Sequence, residues 1–350
     1  MLRNNRVFQE DLHGILSVPF IPWEQLRDKS VFITGATGLI GYTLICALLQ
    51  YNLSRQGNIR IAALVRDRKR AEEKFFDWFP DVENMLTFHV GTVEDLPEMT
   101  DTVDYIVHCA CPTSSAYFAE RPVETIETIY AGTRRVLELA REKQASGVVF
   151  LSSMEVYGEV KTRDKLRESD LGHIDIISPR SSYPEGKRMA ENLCCAYAKE
   201  FGVPVTIARL AQTFGPGVDK NDGRVFAYMA RCALEGRDIR LNTDGSKENM
   251  YLYTMDAVSA VLLLLARGER GAAYNAANEE TYCAVREMAE LVTSTFGKGV
   301  TGVKVNAGQA EEQQYRPAGY LNLDTSKLKA LGWAPCVCLK DMYVRMMSAF

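Results

Sequence analysis

The chain has 350 residues, 47% hydrophobic and 25% charged, with a formal net charge of −4. That composition predicts a globular, enzyme-sized protein with a substantial core, and it excludes a basic nucleic-acid-binding block or an acidic solvating tail. The longest apolar run, "AVLLLLA" (260–266), is too short to span a bilayer, so no membrane partner is expected.

Residues 1–28 read as an N-terminal extension, and "MLRNNRVFQEDLHG" carries charges where a signal peptide needs an apolar stretch, so export is not expected. Nine cysteines without a disulfide spacing or a CxxC pair suggest a cytoplasmic protein with reduced thiols and no metal site.

In "KSVFITGATGLIGYTLICALLQ" (29–50) a short apolar run, Val31 to Ile33, leads into Gly35, Gly38 and Gly41 and then an apolar pattern of helical period. The order strand, glycine turn, helix predicts a dinucleotide site rather than a merely structural turn. Gly35 lets the chain turn, Gly38 lets backbone approach a pyrophosphate, and Gly41 lets the helix pack close to the sheet. The helix start offers N–H groups to the anion. Gly35, Thr37, Gly38, Leu39, Ile40 and Gly41 form the candidate cradle.

"IRIAALVRDRKRA" (59–71) is the second strand. A carboxylate at its end would bind the ribose of NAD, yet the end reads Val65-Arg66-Asp67 with more basic residues behind. Arg66 suits a 2′-phosphate, which favours NADP over NAD. Asp67 keeps NAD open, and a solvated basic helix start is the bland alternative.

"LTFHVG" (86–91), "VDYIVHCA" (103–110), "GVVFLSS" (147–153) and "VPVTIARLA" (203–211) read as further strands, with helices at 123–143 and 191–202 between them. His108, inside an apolar strand, reads as a structural histidine. The alternation predicts an α/β fold: a Rossmann-type doubly wound parallel sheet spanning 29–210 plus about 251–277. After residue 211 the pattern breaks into shorter pieces. Residues 211–250 and 278–350 are expected to form a smaller mixed substrate-binding region over the C-terminal edge of the sheet.

Strand 147–153 ends at Ser153, with Glu155 two residues on. In "SSYPEGKRMAEN" (181–192), Tyr183 and Lys187 stand at i, i+4 and share a helix face if the helix begins near Tyr183. Pro184 fits a first turn, and Ser181 or Ser182 is expected to help cap it. Hydride exchange with a carbinol needs a partner for the hydroxyl proton. A tyrosine, with a pKa of about 10, is mostly protonated at neutral pH, and an ammonium beside it favours the phenolate. Ser153 would orient the reacting oxygen.

These segments resemble the extended short-chain dehydrogenase/reductases, of the NAD-dependent epimerase/dehydratase family. The resemblance covers about residues 29–340 through TGATGLIG (34–41), HCACPTSS (108–115), SSMEVYG (152–158), YPEGK (183–187) and LGW (331–333). "SPRSSYPEGKRMAENLCCAYAKEFGVPVTIARL" and NDGRV (221–225) are most similar to UDP-glucuronate decarboxylases and their dTDP-glucose 4,6-dehydratase relatives. The resemblance implies a catalytic set of Ser153, Tyr183 and Lys187 with Glu155 beside it. It implies that Ala110 and Cys111 line the cofactor, Cys111 through its size, with Arg66 at the adenosine end. It implies substrate contacts at Thr113, Gln212, Arg224, Val225 and Arg316. It also implies NAD(P) bound tightly, oxidation of a sugar to a ketone, and a homodimer.

The departures from the family pattern bear on the reaction. Met154 stands where dehydratases put an aspartate and decarboxylases a serine, and it has no proton to donate, which disfavours dehydration. Asn249 and Gly217 stand where the family often has arginines for the substrate phosphates, Gln212 replaces an asparagine, and Thr92 an aspartate near adenine. The leading expectation is an NAD(P)-dependent sugar or nucleotide-sugar enzyme of epimerase or decarboxylase type. The alternative is an NADP-dependent reductase of a smaller polyol, sugar phosphate or other carbonyl compound. A third is a dinucleotide-sensing regulator on the same fold.

Overall fold

The structure, a computed structural model, describes residues 2–78, 81–82, 84–297, 301–305 and 319–350. Arg316 lies outside the described residues. The first half runs α1 (Arg6–Ser17), α2 (Trp23–Leu26), β1 (Ser30–Thr34), α3 (Leu39–Arg55), β2 (Arg60–Val65), α4 (Arg68–Phe75), β3 (Leu86–Val90), β4 (Tyr105–His108), α5 (Ser115–Glu120), α6 (Pro122–Glu142), β5 (Gly147–Ser153), α7 (Ser182–Glu200) and β6 (Val205–Leu210). It continues through β7 (Gln212–Phe214), α8 (Val225–Glu235), β8 (Ile239–Leu241), β9 (Glu248–Tyr253), α9 (Thr254–Arg267), β10 (Ala273–Ala276), β11 (Asn278–Ala284), α10 (Val285–Phe296), β12 (Val303–Val305), α11 (Ser326–Lys329) and α12 (Leu339–Met347).

Seven strands form one parallel sheet in the order β10-β6-β5-β4-β1-β2-β3. Its central strands β1, β4, β5 and β6 are buried on both faces, as a sheet covered by helices on both sides requires. On β1, Val31 and Ile33 enter the cluster shared with α1, α3 and α9, while Phe32 points into the opposite cluster with α6 and α7. β5 repeats this with Val149 and Leu151 against Val148 and Phe150. The period of two thus divides the core into two layers. Strand order reverses between β1 and β4, which opens a crevice at their C-terminal ends, the place where such sheets hold ligands. A second sheet, β11-β9-β7, is mixed: β9 runs antiparallel to β11 and parallel to β7.

The N-terminal extension is helical. Its α1 lies on α3 and α9, where buried Asp11 accepts hydrogen bonds from Tyr253 and from Arg345 near the C-terminus. The 191–202 helix read from sequence begins earlier, at Ser182, because Pro184 sits in the first turn, where a missing N–H is harmless. Neither serine caps it: Ser181 is itself in helical geometry and makes no capping bond, and Ser182 Oγ lies 3.5 Å from the Phe118 carbonyl.

Candidate active site

The glycine turn lies at the β1/β4 crevice. Gly35 has φ +66°, and a Cβ there would stand 2.8 Å from the backbone nitrogen of Ala110. Only glycine therefore lets β1 turn this close to the segment after β4. A Cβ on Gly41 would meet the Gly35 carbonyl at 2.3 Å, so Gly41 seats the helix on the turn itself, whereas the sequence predicts close packing on the sheet. Gly38 precedes α3 with extended geometry and is exposed. Beside it Thr37, Leu39 and Ile40 are half-buried. A bare turn leading into a helix N-terminus fits the pyrophosphate of a dinucleotide.

At the floor of the crevice, Thr34 Oγ1 lies 2.8 Å from His108 Nδ1 and accepts the N–H of Ala110 at 3.1 Å. Thr133 stands 3.3 Å from the other ring nitrogen. Burial, aided by the Lys187 charge, pushes His108 down to about 3, so the imidazole is neutral and structural. Ala110 and Cys111 follow, both half-buried. Burial raises the Cys111 thiol, Lys187 opposes this through charge and a hydrogen bond, and Glu155 adds to the rise. Cys111 is thus a neutral thiol.

Ser153 ends β5, and its Oγ accepts the N–H of Glu155 at 3.1 Å, which starts the tight turn Met154–Tyr157. Tyr183 is buried on α7 and stacks on Phe118 with ring centroids 4.2 Å apart. Lys187 is 3% exposed. Its Nζ donates to the Leu151 carbonyl at 2.7 Å and lies 5.8 Å from the centre of the Tyr183 ring. The fold therefore brings the end of β5 and the Tyr-Lys face of α7 together.

Sequence reasoning missed Arg180, although it stands three residues before Tyr183. Its Nη2 is 3.7 Å from Glu155, each side chain is 20% exposed, and its guanidinium lies 5.4 Å from the Phe118 ring centre. Its Nη1 is buried without a hydrogen-bond partner.

The other expected contacts are less converged. Arg66 is exposed just past β2 and makes no hydrogen bond or ion pair among the described residues. Burial raises the neighbouring Glu94 carboxyl, and Thr128 together with the Arg66 charge brings it below its ordinary value. Asp67, read from sequence as a possible ribose ligand, instead caps α4 through the Arg70 N–H at 3.0 Å. Thr113 is exposed before α5, and Gln212 and Val225 are half-buried at the starts of β7 and α8. Arg224 is held by Asp222, 2.6 Å away, and stacks over Phe226. Burial would raise Asp222, but Arg224 holds it low. Gly217 has φ +97°, which disfavours an arginine there, and Asn249 is buried with Oδ1 unpartnered.

Fold and site together define a dinucleotide-dependent enzyme of the extended short-chain dehydrogenase/reductase class. The sequence profile of the NAD dependent epimerase/dehydratase family matches residues 31–277, and the chain belongs to that family. UDP-glucuronic acid decarboxylase 1 of Xenopus tropicalis is 31% identical over 314 residues, 89% of this chain and 70% of that protein. UDP-glucuronic acid decarboxylase 6 of Arabidopsis thaliana is 29% identical over 97% of this chain and 89% of its own. Among solved structures, the dTDP-glucose 4,6-dehydratase DesIV of Streptomyces venezuelae, with NAD and TYD bound, has a TM-score of 0.75 at 24% identity, covering 91% of this chain and 95% of that one. The UDP-glucuronic acid 4-epimerase of Bacillus cereus, in complex with UDP-glucuronic acid and NAD, has a TM-score of 0.72 at 19% identity, covering 91% and 98%. These structures share the fold. Among the described residues, no helix is long and apolar enough to cross a membrane.

Proposed function

We propose that the protein oxidises a nucleotide-linked sugar uronate at its C4 hydroxyl and works through the resulting ketone, as a decarboxylase or epimerase. Arg180 carries this reading. A guanidinium 3.7 Å from Glu155, with Nη1 buried and unpartnered, is a receptor for a carboxylate at the reacting end of the substrate. The relatives named as UDP-glucuronic acid decarboxylases support it. Met154, without a proton to give, speaks against dehydration.

A nicotinamide dinucleotide held at the glycine turn supplies the reversible two-electron oxidation at C4. Tyr183 takes the hydroxyl proton. Lys187, fixed to the Leu151 carbonyl, favours the phenolate. Ser153 Oγ already accepts the Glu155 N–H, so its own hydrogen is left for the sugar oxygen. Arg180 orients the carboxylate. The C4 ketone draws in the electron pair of the breaking carbon–carboxylate bond, CO2 leaves, and a proton from solvent, relayed through Glu155, reaches the carbon left behind; re-reduction of the C4 ketone, with Tyr183 giving back its proton, completes the turnover. In the epimerase variant the carboxylate stays in place and the C4 ketone is re-reduced on its opposite face, which inverts C4, with Tyr183 giving back the hydroxyl proton.

The reading includes NADP over NAD, supported by Arg66 and the missing acid at the end of β2. It assigns 29–210 plus about 251–277 to the cofactor and the remaining C-terminal segments to substrate. It includes a cytoplasmic setting, supported by nine free cysteines, and a homodimer, supported by exposed Val123 and Ile126 on α6 and Met189 on α7. The test is purified protein with UDP-glucuronate and no added cofactor: CO2 release, or a C4-inverted uronate, is expected. The reductase alternative is favoured by Asn249 and by Arg224 being occupied with Asp222. Stoichiometric NADPH consumption on a small carbonyl compound, with UDP-glucuronate untouched, would establish it instead.

A further inference from the structure

A buried polar relay runs beneath the active-site turn. Ser152, the residue before Ser153, donates from Oγ to Glu191 on α7. Glu191 also accepts three bonds from Arg209 of β6, from Nε at 3.0 Å and 3.2 Å and from Nη2 at 2.7 Å. The Arg209 and Glu191 side chains are 6% and 9% exposed. Arg209 Nη1 donates to the Tyr157 hydroxyl at 3.1 Å and to the Glu168 carbonyl at 2.7 Å. Tyr157 in turn donates to Asn275 Oδ1 at 2.6 Å.

Two features distinguish this relay from ordinary core polarity. Its ends, Ser152 and Tyr157, bracket the turn that carries Ser153 and Glu155. Its centre, Glu191, lies one helical turn beyond Lys187 on the same face of α7. The helix is therefore stitched to β5 by two successive rungs: Lys187 to the Leu151 carbonyl, and Glu191 to the Ser152 hydroxyl. A buried ion pair contributes little net stability compared with well-packed apolar residues of the same size, whereas it does impose one geometry.

From this arrangement we infer that Ser152, Glu191, Arg209 and Tyr157 form a positioning unit, which sets the distance of Ser153 and Glu155 from Tyr183 and Lys187. It rests on the proposed reading in that those four residues act together. None of the relay residues touches the reacting atoms. They act by keeping the second rung closed so that the first, at Lys187, stays in place under the Tyr183 ring. Lys187 on its own helix lies 5.8 Å from the centre of that ring, Arg180 lies over the stacked Phe118, and Glu155 of the turn pairs with Arg180.

Ser152→Ala opens the second rung and leaves the Arg209–Glu191 pair intact. The first readout needs no sugar: ultraviolet titration of the Tyr183 phenolate in NAD+-loaded enzyme, with Tyr183→Phe as the blank. Ser152→Ala is expected to move that titration to higher pH without changing the Kd for NAD+, and Ser152→Thr, which keeps the hydroxyl, to restore it. With UDP-glucuronate as the probe, kcat falls by about 10-fold or more while KM stays within about twofold, the signature of lost alignment. A Ser152→Ala enzyme whose Tm drops while its phenolate titration overlays the wild type would overturn the positioning role. Wild-type enzyme that ignores UDP-glucuronate would defeat the substrate assignment, and the titration would still decide this one.

Discussion

Arg180 and Glu155 meet at 3.7 Å although one lies just before α7 and the other just after β5. The approach joins the two elements that bear Tyr183 and Ser153, and it leaves Arg180 Nη1 buried with no hydrogen-bond partner. An unpaired donor of this kind is stabilised when an anion binds beside it. Arg180→Gln should lower kcat/KM for UDP-glucuronate by about 10²-fold, the loss of a charge-assisted bond of about 2–3 kcal/mol. Dinucleotide affinity should stay unchanged. Steady-state kinetics with a parallel NAD+ titration checks this, and equal loss with UDP-glucose, which lacks the carboxylate, would argue that Arg180 does not read that group.

Tyr183 stacks on Phe118 and lies above the Lys187 ammonium. Removing its hydroxyl keeps the stack and removes the proposed proton acceptor. Tyr183→Phe is expected to reduce turnover by at least ~10²-fold with little change in melting temperature. A variant that retained the wild-type rate would remove Tyr183 from the reaction.

Arg66 is the basic residue at the end of β2, and Asp67 is occupied as a helix cap. Arg66→Asp should therefore shift preference from NADP toward NAD, read as the ratio of the two Kd values. Wild-type enzyme that binds both cofactors equally would contradict the 2′-phosphate assignment.

Gly35 combines a positive φ with a neighbouring backbone that leaves no room for a side chain. Gly35→Ala should weaken dinucleotide binding and lower Tm together, because the strain and the displaced Ala110 segment both act on the turn. Gly236, with φ +67° and open space around it, supplies the control: Gly236→Ala is expected to lower Tm modestly and leave the Kd as it was.

Asp256 is 1% exposed, and burial pushes its carboxyl up to about 6 against the N–H groups of Cys336 and Val337 and the Cys336 thiol that lower it. Its folded pKa exceeds the unfolded value, so the folded state holds the extra proton. This contribution to stability is fully present at low pH and is lost as pH rises from about 4 to about 6, by on the order of 2 kcal/mol. Asp256→Asn should flatten that part of the stability profile in urea titrations. An unchanged slope between wild type and variant would show that the carboxyl titrates normally.

Much of the molecule is legible in local patterns. Apolar runs with period two or no polar break became β1, β5 and β6, and the 123–143 periodicity became α6 within a residue at each end. The glycine turn, Ser153 and the Tyr183–Lys187 spacing could be read because each depends on neighbours in the chain: a strand end, a helix start, a helical i, i+4 face. The fold class follows from the alternation of these elements.

Tertiary structure decided what depends on residues distant in sequence. It paired Arg180 with Glu155, and it linked Ser152 to Glu191 and Arg209 across two strands and a helix. Hydrogen bonds and ion pairs form between whichever groups the packed layers bring within a few ångströms. Chain order specifies the layers through periodicity, but only their packing selects the partners.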